Sequence, residues 1–415
     1  MHAIEKILAK NSGRKSVVAG EIVTASVDFA EVNDLYMQTI YSFREMEGDK
    51  VWDKNRLAFV FDHYAPAPTI KTAQIHKDMR EFAKKNELTY HFDINTGVCH
   101  QVMAERGVVL PGEIIVATDS HTTTHGAFGA MGTGVGATDM ATIMISGSLW
   151  FRVPEIVEMR IDGIPPKGIM PKDVVLYLLG QIKADGAVYK AIDFTGSYIE
   201  QLNVAGRMVI CNMAVEMGAK TAYMQPNADV LEYVNARAVR PFEQVFTDEG
   251  YEYSESYKFD ISDLVPQVAV PHSVDNVRPI TEVSRVKVDQ CFVGACTGGR
   301  PEDIKAAADI LRGKRISNDL RLIVIPASTE VMMECLEKGY LQDCINAGAT
   351  ISTPGCGPCL SAHEGVLAPG EVCVTASNRN FPGRMGSREA EIYLASPATV
   401  AATALTGYLT DPRSI

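Results

Sequence analysis

Short apolar runs that end in polar residues recur along this chain. Leu57–Phe61 is followed at once by Asp62 and His63. Glu113–Ala117 is followed by the polar segment Thr118–His121. A continuous apolar run of this length is typical of a strand buried on both faces, as strands of parallel sheets are. Helix-like sequence follows each run, so the pattern predicts an α/β protein with largely parallel sheets.

The same pattern returns in the last third of the chain, where each apolar run leads to a cysteine or an asparagine. In parallel α/β sheets, ligands bind beyond the carboxyl ends of the strands, and these residues fall there. The runs and the residues that follow them are Val286–Val293 before Cys296, Ala349–Ile351 before Cys356, and Val372–Thr375 before Asn378.

Two changes in the pattern divide the chain. A strand and turn at Ile161–Gly168, followed by a helical pattern at Pro171–Ile182, indicates a boundary near residue 158. A segment rich in tyrosine and proline over residues 250–283 indicates a second. Because 415 residues exceed what one core usually organises, we predict three α/β domains. They are residues 1–158, 159–283 and 284–415, and the third carries Cys296, Cys356 and Cys359.

Composition limits the partners, the cellular location and the cysteine chemistry that this protein is expected to have. A net charge of −12 and a pI near 5.3 argue against a surface built to neutralise nucleic-acid phosphates. The N-terminus lacks a secretory signal pattern and no apolar run is long enough for a membrane span, so we expect a cytoplasmic protein. Nine dispersed cysteines indicate reduced thiols rather than a disulfide framework. Six are expected in the core: Cys99, Cys211, Cys291, Cys335, Cys344 and Cys373.

The remaining three cysteines are candidates for chemistry. Cys356 and Cys359 lie close together in Cys-Gly-Pro-Cys, and Cys296 is distant in sequence. Thiolates grouped in this way ligate a soft metal or an iron–sulfur cluster, and three ligands on a four-iron cluster leave one iron open. A Cys-x-x-Cys pair also serves thiol–disulfide exchange. The cysteines alone leave both interpretations open.

Two histidines lie beside aspartates. A histidine held by a carboxylate is a competent acid at neutral pH. Neighbours on an extended chain point to opposite sides, so Asp62 and His63 can pair only across a turn. Asp119 and His121 form a similar group with Ser120. The alternative for both groups is a simple polar cap.

Two further polar pairs stand out. Asn212 and Glu216 are four residues apart, so a helix would place them on one face; a solvent-facing stripe is the alternative. Arg379 and Arg384 flank a rigid, turn-prone spacer. Arginine forks bind carboxylates in bidentate fashion, and surface salt bridges are the alternative.

In their order and spacing these clusters resemble the aconitase superfamily, and most closely the large subunit of the 3-isopropylmalate dehydratase and homoaconitase group. The resemblance covers nearly the whole chain. The matching stretches are Asp62-His63, Thr118–Thr122, Ile210–Met213 with Glu216, Gly294–Thr297, Pro354–Cys359, and Ser377–Phe381 with Arg384.

The resemblance implies a [4Fe-4S] cluster held by Cys296, Cys356 and Cys359, with one open iron site that binds the substrate's hydroxyl and carboxylate. It also implies that His63, supported by Asp62, protonates the departing hydroxyl. The reaction would be reversible dehydration of a hydroxy di- or tricarboxylic acid, such as 3-isopropylmalate, homocitrate or a related malate. Further catalytic residues implied are Asp119, His121 and Glu216, and the implied substrate-binding residues are Ser120, Asn212, Asn378, Arg379 and Arg384.

The fold implied is a three-domain aconitase-like core that lacks the family's small swivelling domain. That domain supplies the serine base and further carboxylate contacts, and the segment from Arg384 to Ile415 is too short to contain it. The expected partners are therefore a separate small subunit and a small hydroxy acid.

Two departures and two rival functions accompany the resemblance. Asn33–Gln38 replaces a His-Asp-x-Thr-x-Pro-like segment that lies near the substrate, and Gly298 replaces the asparagine that usually follows Cys-Thr. One rival is a thiol–disulfide oxidoreductase, which would use Cys356 and Cys359 but not Cys296. The other is a cluster-free, RNA-binding relative, which the acidic charge disfavours.

Overall fold

The computed structural model describes residues 1–415, and its first part contains seven strands and five α-helices. The strands are β1 (Ile22–Ser26), β2 (Phe29–Asn33), β3 (Leu57–Val60), β4 (Tyr90–Phe92), β5 (Ile114–Ala117), β6 (Met131–Gly134) and β7 (Ser148–Arg152). The helices are α1 (Ala3–Asn11), α2 (Met37–Glu45), α3 (Ile70–Lys85), α4 (Cys99–Glu105) and α5 (Ala137–Ser146). A parallel sheet has the order β4-β3-β2-β5-β6, and β1 pairs antiparallel with β7.

The middle of the chain forms a second parallel sheet, ordered β10-β9-β8-β11. Its strands are β8 (Ile156–Asp162), β9 (Ala191–Thr195), β10 (Thr221–Tyr223) and β11 (Glu255–Asp260). Its helices are α6 (Pro171–Ile182), α7 (Ser197–Gln201), α8 (Val204–Asn212) and α9 (Ala228–Asn235). The bounds of α6 match the predicted helix, because Pro171 suits the first turn and the carboxylate of Asp173 accepts from the Met170 N–H at 2.9 Å.

The last part contains a sheet of seven strands in the order β13-β12-β18-β17-β14-β15-β16. The strands are β12 (Gln267–Ala269), β13 (Val277–Pro279), β14 (Gln290–Val293), β15 (Arg321–Val324), β16 (Thr350–Ile351), β17 (Val372–Thr375) and β18 (Glu391–Leu394). The helices are α10 (Ala295–Gly298), α11 (Pro301–Leu311), α12 (Thr329–Glu337), α13 (Tyr340–Ala347) and α14 (Pro397–Thr406). Strands β14 to β18 pair in parallel, and the antiparallel pairs of this sheet are β12 with β13 and β12 with β18. The α/β fold with largely parallel sheets is therefore confirmed.

A shared core joins the three parts of the chain. The largest cluster of buried apolar residues includes Phe29, Ile161 and Ile392, one from each sheet region. Residues contributed by all three parts therefore pack as one interior, which fixes the sheets relative to one another. The domain boundaries near 158 and 283 stay predictions.

The central strand of the first sheet, β2, was not predicted from the pattern of apolar and polar residues. All five residues of β2 are buried, yet Glu31 and Asn33 interrupt its apolar run. A buried strand that carries two polar side chains has neither the continuous apolar run nor the alternation on which strand prediction depends. The strand carries these polar residues because it lies directly beneath the candidate site.

The relation between Asn212 and Glu216 also differs from the expectation. α8 ends at Asn212, and a separate 3₁₀ turn over Met213–Met217 carries Glu216. The prediction of one continuous helical face is therefore wrong. Both side chains are buried, so the alternative of a solvent-facing stripe is wrong as well.

The other cysteines behave as predicted. All six expected core cysteines are buried, and none of the nine cysteines forms a disulfide. None of the helices combines the length and the apolar character that crossing a lipid bilayer requires.

Candidate active site

The carboxyl ends of strands from the first and third sheets meet at one cavity. It brings together the three candidate cysteine ligands with most of the predicted acid–base residues. Residues that line it are His63, Cys99, His100, Asp119, His121, Cys296, Cys356, Cys359, Asn378 and Arg384. Segments far apart in sequence converge here because parallel strands end at the same edge of a sheet.

The Cys-Gly-Pro-Cys segment forms a tight 3₁₀ turn against the end of β3. The Cys356 N–H donates to the Asp62 carbonyl at 2.8 Å, and the Cys359 N–H donates to the Cys356 carbonyl at 3.2 Å. Gly357 has a φ of +53°, and a Cβ there would lie 2.5 Å from Ile325 Cδ1. The glycine therefore allows the turn to lie flat on the sheet end.

Cys296 lies on the short helix α10 and is held by two amides. The Nδ2 atoms of Asn212 and Asn378 both lie 3.2 Å from Cys296 Sγ. Asn378 Nδ2 also lies 3.2 Å from Asn212 Oδ1, which fixes the orientation of both amides. Two N–H groups directed at one sulfur suit a thiolate better than a neutral thiol, because amide N–H groups only donate.

The pKa values of two of these thiols are high. Burial raises the pKa of Cys296 to about 12, with the neighbouring Cys359 as a smaller cause. Burial likewise raises the pKa of Cys356 well above its ordinary value, against the effect of His63. Metal ligands must be deprotonated, so binding at this site would release protons.

Asp62 and His63 pair despite being neighbours in sequence. The chain turns after β3, and His63 Nδ1 lies 2.6 Å from Asp62 Oδ1. The second oxygen of Asp62 accepts from the Cys99 N–H at 2.8 Å. Burial disfavours charge on His63, but the surrounding carboxylates, Asp62 foremost, together with Cys356 outweigh it and raise the pKa of this imidazole well above its usual value.

Asp34 supports the same histidine, a role that was not predicted although its segment, Asn33–Gln38, was expected near the substrate. Its Oδ1 accepts from the His63 N–H at 3.0 Å, and its Oδ2 lies 2.9 Å from His76 Nε2. Although burial opposes it, hydrogen bonds from His63 and His76 lower the pKa of Asp34 below its ordinary range. Asp34 follows the unrecognised strand β2, so no strand-end signal marked it.

Asp119 is the centre of a second group. Its Oδ1 lies 2.9 Å from His100 Nε2 and accepts from the His121 N–H at 2.7 Å, while its Oδ2 lies 3.5 Å from His63 Nε2. Burial alone would raise the pKa of Asp119, but the three histidines lower it well below the ordinary value. His100 was also missed, because it lies in the first turn of α4, inside an apolar segment that carries no motif.

A series of hydrogen bonds begins at the cavity wall and joins His121, Glu216 and Arg379. His121 Nε2 lies 2.7 Å from Glu216 Oε1, and Arg379 Nε donates to the same oxygen at 2.7 Å. Burial opposes charge on Glu216, but His121 and Arg379 lower the pKa of this carboxyl. Arg379 is therefore not a surface salt bridge, and its terminal nitrogens have no protein partner.

Arg384 and Ser120 complete the predicted set. Arg384 Nη2 lies 3.6 Å from Cys359 Sγ, and its guanidinium carbon lies 5.8 Å from the Phe381 ring centre. Arg384 lines the cavity, and its Nε is buried without a partner. Ser120 is half-buried, with its Oγ 3.5 Å from His121 Nδ1, and it lies outside the cavity lining.

Gly298 has no room for a side chain. A Cβ at this position would lie 2.4 Å from Ala376 Cβ. Residue 298 follows the Cys296–Thr297 pair on α10, so the close approach of β17's end requires glycine here. The contact explains why this chain lacks the larger residue expected from the resemblance.

Gly298→Ala should lower the free energy of unfolding by about 1–3 kcal/mol, because a packed region must shift to admit the methyl group. Urea unfolding of the metal-free chain measures the change. Gly136→Ala is the matched control: its φ is −72° and an added Cβ meets nothing within 4 Å. Its expected effect is below about 1 kcal/mol. Adding Ala376→Gly should recover most of the Gly298→Ala loss; an unchanged loss in the double variant contradicts the clash.

The donor set fits an iron–sulfur cluster. Three free thiols face one cavity, and amide and guanidinium nitrogens approach two of the sulfurs. Cysteine ligands with hydrogen bonds to the sulfurs are the usual environment of such clusters. Asp62, His63 and Cys356 also place one ligand atom each within 4.8 Å of one another, so a metal at Cys356 would adjoin the acid pair.

Comparisons with known proteins agree with this geometry. The model of the aconitase family (aconitate hydratase) matches residues 5–287 and 278–407. A 3-isopropylmalate dehydratase large subunit 1 from Methanopyrus kandleri is 50% identical over 410 residues, which cover 99% of this chain and 98% of that protein. A probable methanogen homoaconitase large subunit from Methanothermobacter thermautotrophicus is 48% identical over 418 residues, covering 100% and 98%. A 3-isopropylmalate dehydratase large subunit from Hydrogenobaculum is 43% identical over 412 residues, covering 99% and 97%.

Proposed function

Because the chain belongs to the aconitase family, we propose that it is the large subunit of a hydro-lyase that reversibly dehydrates a hydroxy di- or tricarboxylic acid. The observation that carries the proposal is the convergence of Cys296 with Cys356 and Cys359 beside the Asp62–His63 pair. A redox pair would need only two of these cysteines and no acid.

The proposed cofactor is a [4Fe-4S] cluster held by Cys296, Cys356 and Cys359. When bound, it would supply a Lewis-acidic iron without a protein ligand, which polarises the hydroxyl that leaves. The protein's contribution is to bind the acid, hold its reacting carbon near that iron and move one proton.

His63 is the proposed acid. Asp62 holds Nδ1, so the proton that is free to be transferred is on Nε2, which faces Asp119 and the cavity. Asp34 accepts the backbone N–H of His63 and fixes the residue from below. An imidazole held at Nδ1 and open at Nε2 is oriented to protonate a departing hydroxyl.

The proposed water-organising residues are Asp119, His121 and Glu216. Their hydrogen bonds form one chain from His100 to Arg379, so each side chain has a fixed direction. A leaving water needs hydrogen-bond donors and acceptors that do not reorient during the reaction. This series of hydrogen bonds supplies them.

Arginines and amides are the proposed substrate contacts. Arg379 uses only Nε within the protein, which leaves a two-nitrogen edge for a substrate carboxylate. Arg384 lines the cavity and offers the same chemistry next to Cys359. Ser120, Asn212 and Asn378 complete the proposed set, the two asparagines through Cys296.

The proposed partner is a separate small subunit that brings the base which removes the carbon-bound proton. Support comes from the relatives, whose names specify large subunits and of which this chain covers 97–98%. The proposed substrates are 3-isopropylmalate, homocitrate or a related malate, in agreement with the names of these relatives.

The chain alone, with its cluster reconstituted anaerobically, should turn over at least about 10²-fold more slowly than the mixture with the small subunit, because the catalytic base is missing. The assay follows citrate, homocitrate, 3-isopropylmalate and 2,3-dimethylmalate as substrates, with and without the partner. Iron and sulfide content of both samples is the control for cluster loading. Full turnover by the loaded chain alone contradicts the need for a partner, and no turnover of any acid by the loaded mixture contradicts the hydro-lyase.

Thiol–disulfide exchange has less support. A redox nucleophile needs an accessible thiol with a lowered pKa. Burial instead raises the pKa of Cys356 well above its ordinary value, and Cys359 is buried.

A further inference from the structure

Lys172 is a buried lysine behind the cysteine cavity. It is the second residue of α6, and only 1% of it is exposed. Its Nζ donates to the Ser377 carbonyl at 2.7 Å and lies 3.3 Å from Thr297 Oγ1 and 3.7 Å from Met213 Sδ. A helix of the second sheet region thereby inserts an ammonium group into the wall formed by the third.

All three partners of this ammonium are neutral. A carbonyl, a hydroxyl and a thioether satisfy hydrogen bonds but carry no charge, and Lys172 forms no ion pair. Lysine is almost never fully buried unless a counter-charge accompanies it, because removing an ammonium from water is costly. The protein atoms alone therefore do not account for a lysine here.

Each partner is adjacent in sequence to a residue of the cysteine site. Thr297 follows Cys296, and Ser377 precedes Asn378. Met213 follows Asn212, whose amide lies 3.2 Å from Cys296 Sγ. The ammonium is thus directly behind the wall that carries Cys296.

The electrostatic surroundings agree with this position. Burial lowers the pKa of Lys172 to about 8, and the leading opposing influences are Cys296 and Cys359, followed by Asp303 and Glu216. Glu216 is already paired with His121 and Arg379. The Asp303 carboxylate accepts from the Arg300 N–H at 3.1 Å and forms no hydrogen bond with Lys172. The anionic charge that would best match Lys172 is therefore that of the sulfur ligands.

We propose that Lys172 is a positioning residue whose ammonium is the counter-charge of the three-cysteine cluster and fixes the wall that carries Cys296. This inference rests on the proposed function, since it requires the cluster. Three thiolates and a bound hydroxy acid make the site strongly anionic, and a buried cation next to it offsets that charge. Net charge near a cluster sets its reduction potential.

A purely structural role for Lys172 gives different expectations. If its hydrogen bonds only tie α6 to Thr297 and Ser377, their loss would weaken the fold with or without a cluster. If its charge balances the cluster, removing the charge should lower the reduction potential, because an added electron loses a neighbouring cation.

Lys172→Met removes the charge while keeping the length of the side chain. After anaerobic reconstitution, we expect this variant to bind the added electron at least tenfold more weakly, which is about 59 mV for a one-electron couple. We also expect a chelator to remove its iron at least about tenfold faster. The metal-free variant should unfold at or above the wild-type midpoint, because an apolar side chain replaces a buried ion.

Lys220→Met is the control, because Lys220 is a half-buried lysine whose Nζ lies 3.5 Å from the Gly134 carbonyl, outside the cysteine cavity. Its cluster should keep the wild-type potential. An unchanged potential in loaded Lys172→Met, or a shift equal to that of the control, overturns the inference while the proposed function stands. A wild-type chain that builds no cluster overturns both.

Discussion

Cys296→Ser should abolish cluster retention and lower dehydratase turnover by at least about 10³-fold, equivalent to about 4 kcal/mol of lost transition-state stabilisation. A serine hydroxyl is a poor ligand for iron in a sulfur site. The two asparagine amides directed at Cys296 Sγ would face an oxygen that does not hold the metal. Iron and acid-labile sulfide content, together with turnover in the presence of the small subunit, measure the effect.

Cys373→Ser is the matched control, because Cys373 is also buried but lies within β17 and outside the cavity. It should keep its cluster and turnover within about tenfold of wild type. The variants also separate the rival function, because a thiol–disulfide oxidoreductase would lose activity with Cys356→Ser and not with Cys296→Ser. Full cluster content in Cys296→Ser would remove Cys296 from the ligand set.

His63→Gln should lower kcat by about 10²–10⁴-fold while the cluster is retained, because glutamine cannot transfer the proton that general acid catalysis requires. The amide side chain is close in size to imidazole and reaches the same cavity. Turnover and the visible absorbance of the cluster are measured on the same preparation, so a lost acid is distinguished from a lost cofactor.

His76→Gln is the control for packing around the acid. His76 Nε2 lies 2.9 Å from the same carboxylate, Asp34, but its ring stacks on Phe61 outside the cavity. Its kcat should fall by less than about tenfold. Equal losses in both variants would mean that Asp34 and its hydrogen bonds, rather than a proton on His63, account for the effect. Wild-type kcat in His63→Gln would remove it as the acid.

The sequence was informative where a residue follows a continuous apolar strand. Asp62, Asp119, Cys296 and Asn378 all follow such runs, and the structure brings them to one cavity or its immediate wall. In these cases the local pattern predicts the strand, and the rule that parallel strands present ligand residues at their carboxyl ends gives the position.

The sequence did not predict residues whose contribution to the site depends only on their position in the folded structure. His100 contacts Asp119, and Lys172 lies behind Cys296, yet neither stands at a strand end or in a motif. Asp34 follows β2, whose polar Glu31 and Asn33 hide the strand. When a side chain contributes to a site only because folding brings it close, the pattern of apolar and polar residues around it does not mark it.

Asn212 and Glu216 illustrate a different outcome. Residues four apart share one face only within a single helix, whereas α8 ends at Asn212 and a tighter turn follows. Both residues still reach the site, because the turn redirects Glu216 to His121 while Asn212 faces Cys296. The change in helix type separates their functions.

The hydrogen bond from the Cys356 N–H to the Asp62 carbonyl links the metal-binding part of the proposed site to its acid pair. The turn that carries two metal ligands rests on the residue that orients the proton donor. A chain that loses its metal and loosens this turn is expected to misplace the acid in the same event. Loss of the metal by oxidation is then expected to weaken proton transfer together with the chemistry of the metal.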